Sequence, residues 1–534
     1  MYRKTICFLD NSKVLLLIVL IIFSACTSEK NSLHITPNIL FIAVDDLRPE
    51  LGIYGNSVIK TPNIDKLARE GSLFKKHYVQ VPTCGASRYS LMTGLRPKKK
   101  IHLENRVFYK EMANQNEKDK PESFVHHLKR NGYITVGIGK LSHSVDGLVY
   151  GYEEKPSKIL EMPYSWDRFL FNPGIWRTGW NAFFGYANGE NRQSLKKRVK
   201  PYENAEVSDH DYPDGLILKS AIEELKKLKN QSKPFFLGVG YFKPHLPFNS
   251  PKKYWDLYER DSIPIAPDPF IPENVNPSSI GNMDEFYNYE LSDEKPTIQK
   301  KISDKYARKL IHGYYASVSY IDNLVGKLLK ELELLDLEKN TIVVLWGDHG
   351  WHLGNDRKWG KHSLFERSLK STLIIKLTGN QNKKKEINSI VESVDIYPTL
   401  MDICNINIPY DLDGESLLDL MKFKHKKRNG IAYSFWKNGV SIRTDQYRLT
   451  NFFRNEKPKI ELYNHIIDPD ENINVANKNI RIVDSLLPIL QGEIPTFYHS
   501  LSSSDVPSLT PLELTKRAEK KIVFIILLYD MFNL

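Results

Sequence analysis

The chain has 534 residues, 41% hydrophobic and 11% aromatic, too long for one small core and suited to one large domain plus a smaller one. Its formal net charge of +11 suits an acidic partner, but a lysine-rich surface accounts for most of it, and Lys98-Lys99-Lys100 and Lys383-Lys384-Lys385 read as solvated loops. Aromatics are not interleaved with these runs as a nucleic-acid groove requires, and no repeat or low-complexity tract is visible, so nucleic-acid binding and solenoid architectures are excluded.

Taken in order, Arg3 and Lys4 precede an apolar run from Val14 to Phe23 that ends in Ser24-Ala25-Cys26. Residues 1–26 therefore read as a signal peptide with a lipobox-like end, Cys26 being the acylated residue. The run, about ten residues, is short for a spanning helix. The expected location is the cell envelope, exported and held to the membrane by lipid only. Of four cysteines, Cys7 would be removed and Cys26 acylated, leaving Cys84 and Cys404 and no disulfide framework. Cys404 sits in a helix-like stretch, Tyr397 to Cys404, and reads as core.

After a linker at 27–37, Asn38 to Val44 is a continuous apolar run, as a buried parallel strand would be, and it ends in Asp45-Asp46. Thr61-Pro62-Asn63-Ile64-Asp65 opens a helix closed by Gly71. Next comes Pro82-Thr83-Cys84-Gly85-Ala86-Ser87-Arg88, running into a helix, Tyr89 to Thr93, that stops at Gly94. Cys84 thus falls near a helix start, where free N–H groups favour an anion and a depressed, reactive thiol is expected. A small buried hydrophobe is the alternative, and this stretch alone leaves both open.

Further apolar strands run from Tyr133 to Ile138, Phe235 to Tyr241 and Thr341 to Trp346. They end in Lys140-Leu141-Ser142-His143, in Lys243-Pro244-His245, and in Gly347-Asp348-His349-Gly350, with Lys361 in the following Lys358-Trp359-Gly360-Lys361-His362. Singly, each His reads as structural. Jointly, the ends of four buried-type strands carry Asp, Lys or His, as they would around one crevice of an open α/β sheet.

Helices are expected over Pro213–Lys229 and from about Lys305 to Leu335. The Pro-, Asn- and Asp-rich stretch 251–296 reads as a surface excursion. In the irregular region 150–201, Trp166, Trp176 and Trp180 suit either sugar stacking or packing within the loop. A charge run at 424–428 marks a boundary. Past it, Ile431–Trp436, Val440–Arg443 and Tyr447–Phe453 read as antiparallel strands and Ile480–Leu490 as a last helix. The domain plan is therefore a catalytic domain at 38–428, an α+β subdomain at 429–515, and a tail at 516–534 without an assigned role.

Cys84-Gly85-Ala86-Ser87-Arg88 followed by Thr93-Gly94-Leu95-Arg96-Pro97 resembles the signature of the type I sulfatases, Cys-x-Pro/Ala-x-Arg and then Thr-Gly-x-x-Pro. The blocks at 348–354 and 359–361, His349 in place of the commoner Asn, and the Lys140-to-His143 spacing resemble the iduronate 2-sulfatase-like branch. The resemblance implies an alkaline phosphatase-like α/β fold, a mixed sheet sandwiched by helices with a smaller C-terminal α+β subdomain. It further implies conversion of Cys84 to formylglycine by a maturase, of the radical type given Ala86. It implies Ca2+ held by Asp45, Asp46, Asp348, His349 and the modified Cys84. Arg88 would hold the aldehyde hydrate and the carboxylates in place. Lys140, His245 and Lys361 would contact sulfate, His245 would protonate the leaving alcohol, and His143 would bond the hydrate and help expel sulfate. The implied substrate is a sulfated oligo- or polysaccharide, such as ulvan or glycosaminoglycan-like uronate 2-sulfate. A phosphoester or phosphonate ester hydrolase of the same superfamily, and a catalytically dead glycan-binding lipoprotein, are the competing readings.

Overall fold

The computed structural model describes residues 36–500, so Cys26, the segment 1–26, the tail 516–534 and nearly all of the linker lie outside the described residues. Eight strands form one sheet: β1 Asn38–Val44, β2 Ser72–Tyr78, β3 Ile134–Gly139, β4 Arg168–Leu170, β5 Phe235–Tyr241, β6 Thr341–Gly347, β7 Leu373–Lys376 and β8 Glu386–Glu392. Their order is β8-β2-β7-β6-β1-β5-β3-β4. β1 pairs in parallel with β5 and β6, and β3 in parallel with β5 and β4. β7 alone runs against its neighbours, β2 and β6, which makes the sheet mixed.

The four apolar runs read from sequence are the central strands, within a residue of their expected ends. β2 and β8, with Lys75 and Lys76 in one and Glu386, Asn388 and Ser389 in the other, lack a continuous apolar run and escape the same criterion.

Because successive side chains on β1 point to opposite faces, the strand feeds two cores. Leu40, Ile42 and Val44 join the cluster that holds helices α1 (Pro62–Glu70), α3 (Pro213–Leu228) and the 31-residue α4 (Asp304–Leu334). Ile39, Phe41 and Ala43 join the cluster that holds α2 (Cys84–Thr93) and α5 (Ile396–Cys404), where Cys404 is buried as expected. Asp322 of α4 accepts from the Asn63 and Ile64 N–H groups at the start of α1, at 3.1 and 2.7 Å, fixing that helix beside β1.

Strands β9 (Ala432–Trp436), β10 (Gly439–Arg443), β11 (Tyr447–Phe452) and β12 (Ile460–Asn464) form an antiparallel meander. With α6 (Ile480–Gln491) they share a core with Val81 and Ala86, so the C-terminal sheet packs on the segment that carries Cys84. Buried Arg448 joins the two parts, bonded to Glu366 at 2.6 Å and to Glu471 at 2.5 Å. Among the described residues no helix is long and apolar enough to cross a membrane.

His77 on β2 is fully buried, its ring between the Ser371 carbonyl and the Ser393 hydroxyl, and burial pushes its pKa from 6.5 down to about 3. Between those values the unfolded chain binds the proton that the folded chain refuses, so folding weakens as pH falls through this window. His77→Gln is expected to flatten the acid limb of the melting curve by about 1.4 kcal/mol per pH unit below pH 6, read as Tm against pH.

Candidate active site

Seven of the candidate side chains follow the C-terminal ends of neighbouring strands, while Cys84, Arg88 and Lys361 come from elsewhere. β1 delivers Asp45 and Asp46, β3 Lys140 and His143, β5 His245, and β6 Asp348 and His349. The chain turns at Asp46 through a left-handed φ of 59°, and the Asp46 N–H donates to Asp348 Oδ1 at 2.9 Å, tying the ends of β1 and β6 together.

Cys84 is the first residue of α2. The next residue must be glycine, because a Cβ on Gly85 would lie 2.6 Å from the Asn105 backbone, while the Gly85 N–H donates to Asn105 Oδ1 at 2.9 Å. Four residues on along α2, Arg88 is completely buried. Its Nε donates to Asp348 Oδ2 at 3.0 Å and a terminal nitrogen donates to the Lys140 carbonyl, so one guanidinium clamps the ends of β3 and β6.

The Cys84 Sγ is the centre of the cluster. It lies 3.4 Å from Asp45 Oδ1, 3.4 Å from His349 Nε2 and 3.2 Å from Lys361 Nζ. Lys140 Nζ is bonded to Asp45 Oδ2, and Lys361 Nζ to Asp46 Oδ1 at 3.0 Å. Donor atoms of Asp45, Cys84, Asp348 and His349 all lie within 4.8 Å of one another. His349 Nδ1 faces two acceptors, Gly350 O at 3.1 Å and Asp46 Oδ1 at 3.2 Å, so the ring hydrogen sits there and the Nε2 lone pair turns toward Cys84 and Asp348. Asp46 Oδ2 is buried with no hydrogen-bond partner. The convergent Asp45 and Asp348 oxygens and the His349 ring nitrogen fit a divalent cation, while Asp46 groups with His245 and Glu285.

The electrostatics correct one expectation. Burial and the Asp45 carboxylate push the Cys84 thiol up to about 12, against the pull of Lys140 and Lys361, so the helix start does not make it a thiolate. Burial is likewise the first influence on Asp45, but Lys140, followed by His245 and Lys361, outweighs it and holds that carboxyl low. Burial and the neighbouring Asp45 raise Asp46. Burial lowers His143 well below the usual imidazole range, with Lys140 adding to it, and burial with Lys361 takes His245 down to about 4.

His245 donates from Nδ1 to the Leu246 carbonyl at 2.6 Å, which leaves Nε2 facing the crevice. There Nε2 meets Glu285 Oε1 at 3.2 Å, and the same oxygen lies 3.1 Å from Lys361 Nζ. Glu285 belongs to a short helix, Asp284–Tyr287, inside the stretch read as a surface excursion; the stretch instead folds back and buries Met283, Phe286 and Tyr289. Nothing in its residue pattern separates Glu285 from the other acids of that stretch. His143 makes no hydrogen bond to Cys84; its ring packs 5.2 Å from Trp180, and its Nδ1 is buried without a partner. Trp166, Trp176 and Trp180 are packed inside, not offered to a ligand.

The family model named Sulfatase matches residues 37–406, and a second, N-sulphoglucosamine sulphohydrolase, C-terminal, matches residues 347–490. Iduronate 2-sulfatase of Homo sapiens is 31% identical over 433 residues, 74% of this chain and 74% of its own length. A protein named sulfatase from Formosa agariphila is 31% identical over 494 residues, 89% of this chain and 92% of its own. A solved phosphonate monoester hydrolase from Silicibacter pomeroyi superposes with a TM-score of 0.66 at 19% identity, covering 89% of this chain and 98% of that one, a likeness of fold.

Proposed function

This chain belongs to the sulfatase family, a sulfuric ester hydrolase on the alkaline phosphatase-like fold, and from that premise we propose that it removes sulfate from a sulfated carbohydrate with a formylglycine made from Cys84. The observation that carries this reading is the convergence on Cys84 Sγ of Asp45, His349 and Lys361, with Lys140 and Arg88 held behind them. Sγ stands in for the oxygens of the aldehyde hydrate. The thiol itself, pushed up to about 12, is a poor nucleophile at neutral pH, which fits a site whose attacking group is not sulfur.

Calcium held by Asp45, Asp46, Asp348, His349 and the hydrate oxygens would supply fixed positive charge against the ester oxygens. Lys140 and Lys361 stabilise the charge of the transferring sulfuryl group. Arg88 fixes Asp348 and the end of β3, and so the position of Lys140. His245, its Nε2 directed into the crevice, donates a proton to the leaving alcohol. Burial and Lys361 leave that ring neutral at pH 7; a sulfate ester between it and Lys361 acts in the opposite sense and favours the protonated ring. Glu285 Oε1, between the His245 ring and the Lys361 ammonium, occupies an anion position that a substrate would share or take over. His143, whose Nδ1 is buried without a partner, would take a proton from the hydrate when sulfate leaves.

Export, acylation of Cys26 and maturation by a formylglycine-generating enzyme complete the proposal. Labelled fatty acid should enter the wild type and be absent from Cys26→Ala. The deciding experiment measures sulfate release from defined sulfated oligosaccharides, with aryl sulfate and aryl phosphate of one leaving group in parallel. A large preference for phosphate would overturn the sulfatase assignment, and glycan binding without any turnover by the formylglycine form would overturn catalysis.

A further inference from the structure

A buried guanidinium ordinarily sits against a carboxylate, because a charge taken out of water unpaired is costly. Arg88, Arg96 and Arg448 obey this, with Asp348, Glu392 and Glu366 as partners. Arg192 does not. It is only 5% exposed, its Nε donates to Gln193 Oε1 at 3.1 Å, and among the described residues no carboxylate comes within ion-pair range of it. Its guanidinium carbon instead lies 3.4 Å from the centre of the Phe184 ring, with Tyr289 and Tyr152 at 5.5 and 5.9 Å.

Those rings place it beside the catalytic crevice. Phe184 is 6.2 Å from the His245 ring, and Tyr152, 40% exposed, is 6.5 Å from the His143 ring. Arg192 is therefore one aromatic ring away from the proton donor assigned to the leaving alcohol. A guanidinium stacked by its face keeps its N–H edge for a second ligand, and that edge matches a carboxylate or sulfate in bidentate fashion. Tyr152, near the guanidinium and exposed, offers an apolar surface to a sugar ring.

We propose that Arg192 is a specificity-determining residue that binds a second anionic substituent, a carboxylate or a sulfate, on the sugar whose ester is cut. The inference rests on the sulfatase reading above and narrows its substrate to a doubly anionic sugar unit. The missing anionic partner of Arg192 is then the substrate's own.

The test compares kcat/KM for sulfate release from a neutral hexose monosulfate, a uronic acid O-sulfate and a hexosamine N,O-disulfate, in wild type and in Arg192→Gln. Wild type is expected to favour at least one doubly anionic ester by about 100-fold, and Arg192→Gln to shrink that preference to about 3-fold or less. Which ester carries the preference separates carboxylate from sulfate. An equal loss on all three substrates, or a preference that survives in Arg192→Gln, overturns the inference. Should that variant not fold, Arg192→Lys and product inhibition decide: the free uronic acid or sugar N-sulfate should inhibit wild type better than the neutral sugar and lose about tenfold in Arg192→Lys, and equal inhibition overturns the inference. If formylglycine-bearing wild type cleaves none of the three, the sulfatase reading falls and this inference with it. If it cleaves all three at similar rates, this inference alone falls.

Discussion

Cys84→Ala is expected to lower sulfate release by about 10⁴-fold or more while leaving the fold in place. No neighbour can substitute for the lost atom: Lys140 and Lys361 are held as cations by Asp45 and Asp46, and His349 is turned toward the carboxylates. The loss of fold is small because Sγ makes only weak, long contacts, at 3.2 to 3.4 Å, to groups that remain bonded to one another. Circular dichroism and Tm near wild type, together with absent turnover, are the expected pair of readings. Wild-type chain made without a maturase should behave like the variant, since an unconverted thiol pushed up to about 12 is no nucleophile at neutral pH. Mass spectrometry of the peptide holding Cys84 links activity to the fraction converted. Activity that persists in fully unconverted chain would remove the aldehyde from the mechanism.

The strand ends were legible in the sequence for a physical reason. A strand buried on both faces must be apolar throughout, so charged residues at its end stand out, and in a parallel sheet those ends share one edge. Asp45, Lys140, His245 and Asp348 were found by that logic. Lys361 and Arg88 lie off the strands and were placed by resemblance to known signatures. Glu285 and Arg192 were legible by neither route. Both come from irregular segments, 150–201 and 251–296, whose path is set by packing of Trp176, Trp180, Phe286 and Tyr289 onto the sheet's helices, and no periodicity records that. Position at a helix start, a local feature, points to a depressed thiol, whereas full burial beside a carboxylate, a tertiary one, raises it. β2 and β8 escape that logic because partly exposed faces leave them mixed sequences, and β7 because its apolar run is only four residues long.

Asp348→Ala should be the most destabilising change in the site. Asp348 accepts from Arg88 Nε and from the Asp46 N–H, and it sits beside His349 Nε2, all without solvent contact. Removing it leaves the Arg88 guanidinium as a buried charge whose remaining acceptor is the Lys140 carbonyl. Breaking one side of a buried pair costs about 3–5 kcal/mol, more than the pair contributes, because the surviving charge stays desolvated. Asp348→Asn keeps an oxygen for the Asp46 N–H and is expected to lose about half as much. The two variants also separate stability from cation binding. Calcium raises Tm only if it binds the folded site, by an amount that grows with ligand excess, about 2.7 kcal/mol at 100 times Kd. Wild type should show that rise, Asp348→Asn a weakened one, and Asp348→Ala none. A calcium-dependent rise in Tm that survives Asp348→Ala would place the cation elsewhere, and with it the ester oxygens that Lys140 and Lys361 are arranged to receive.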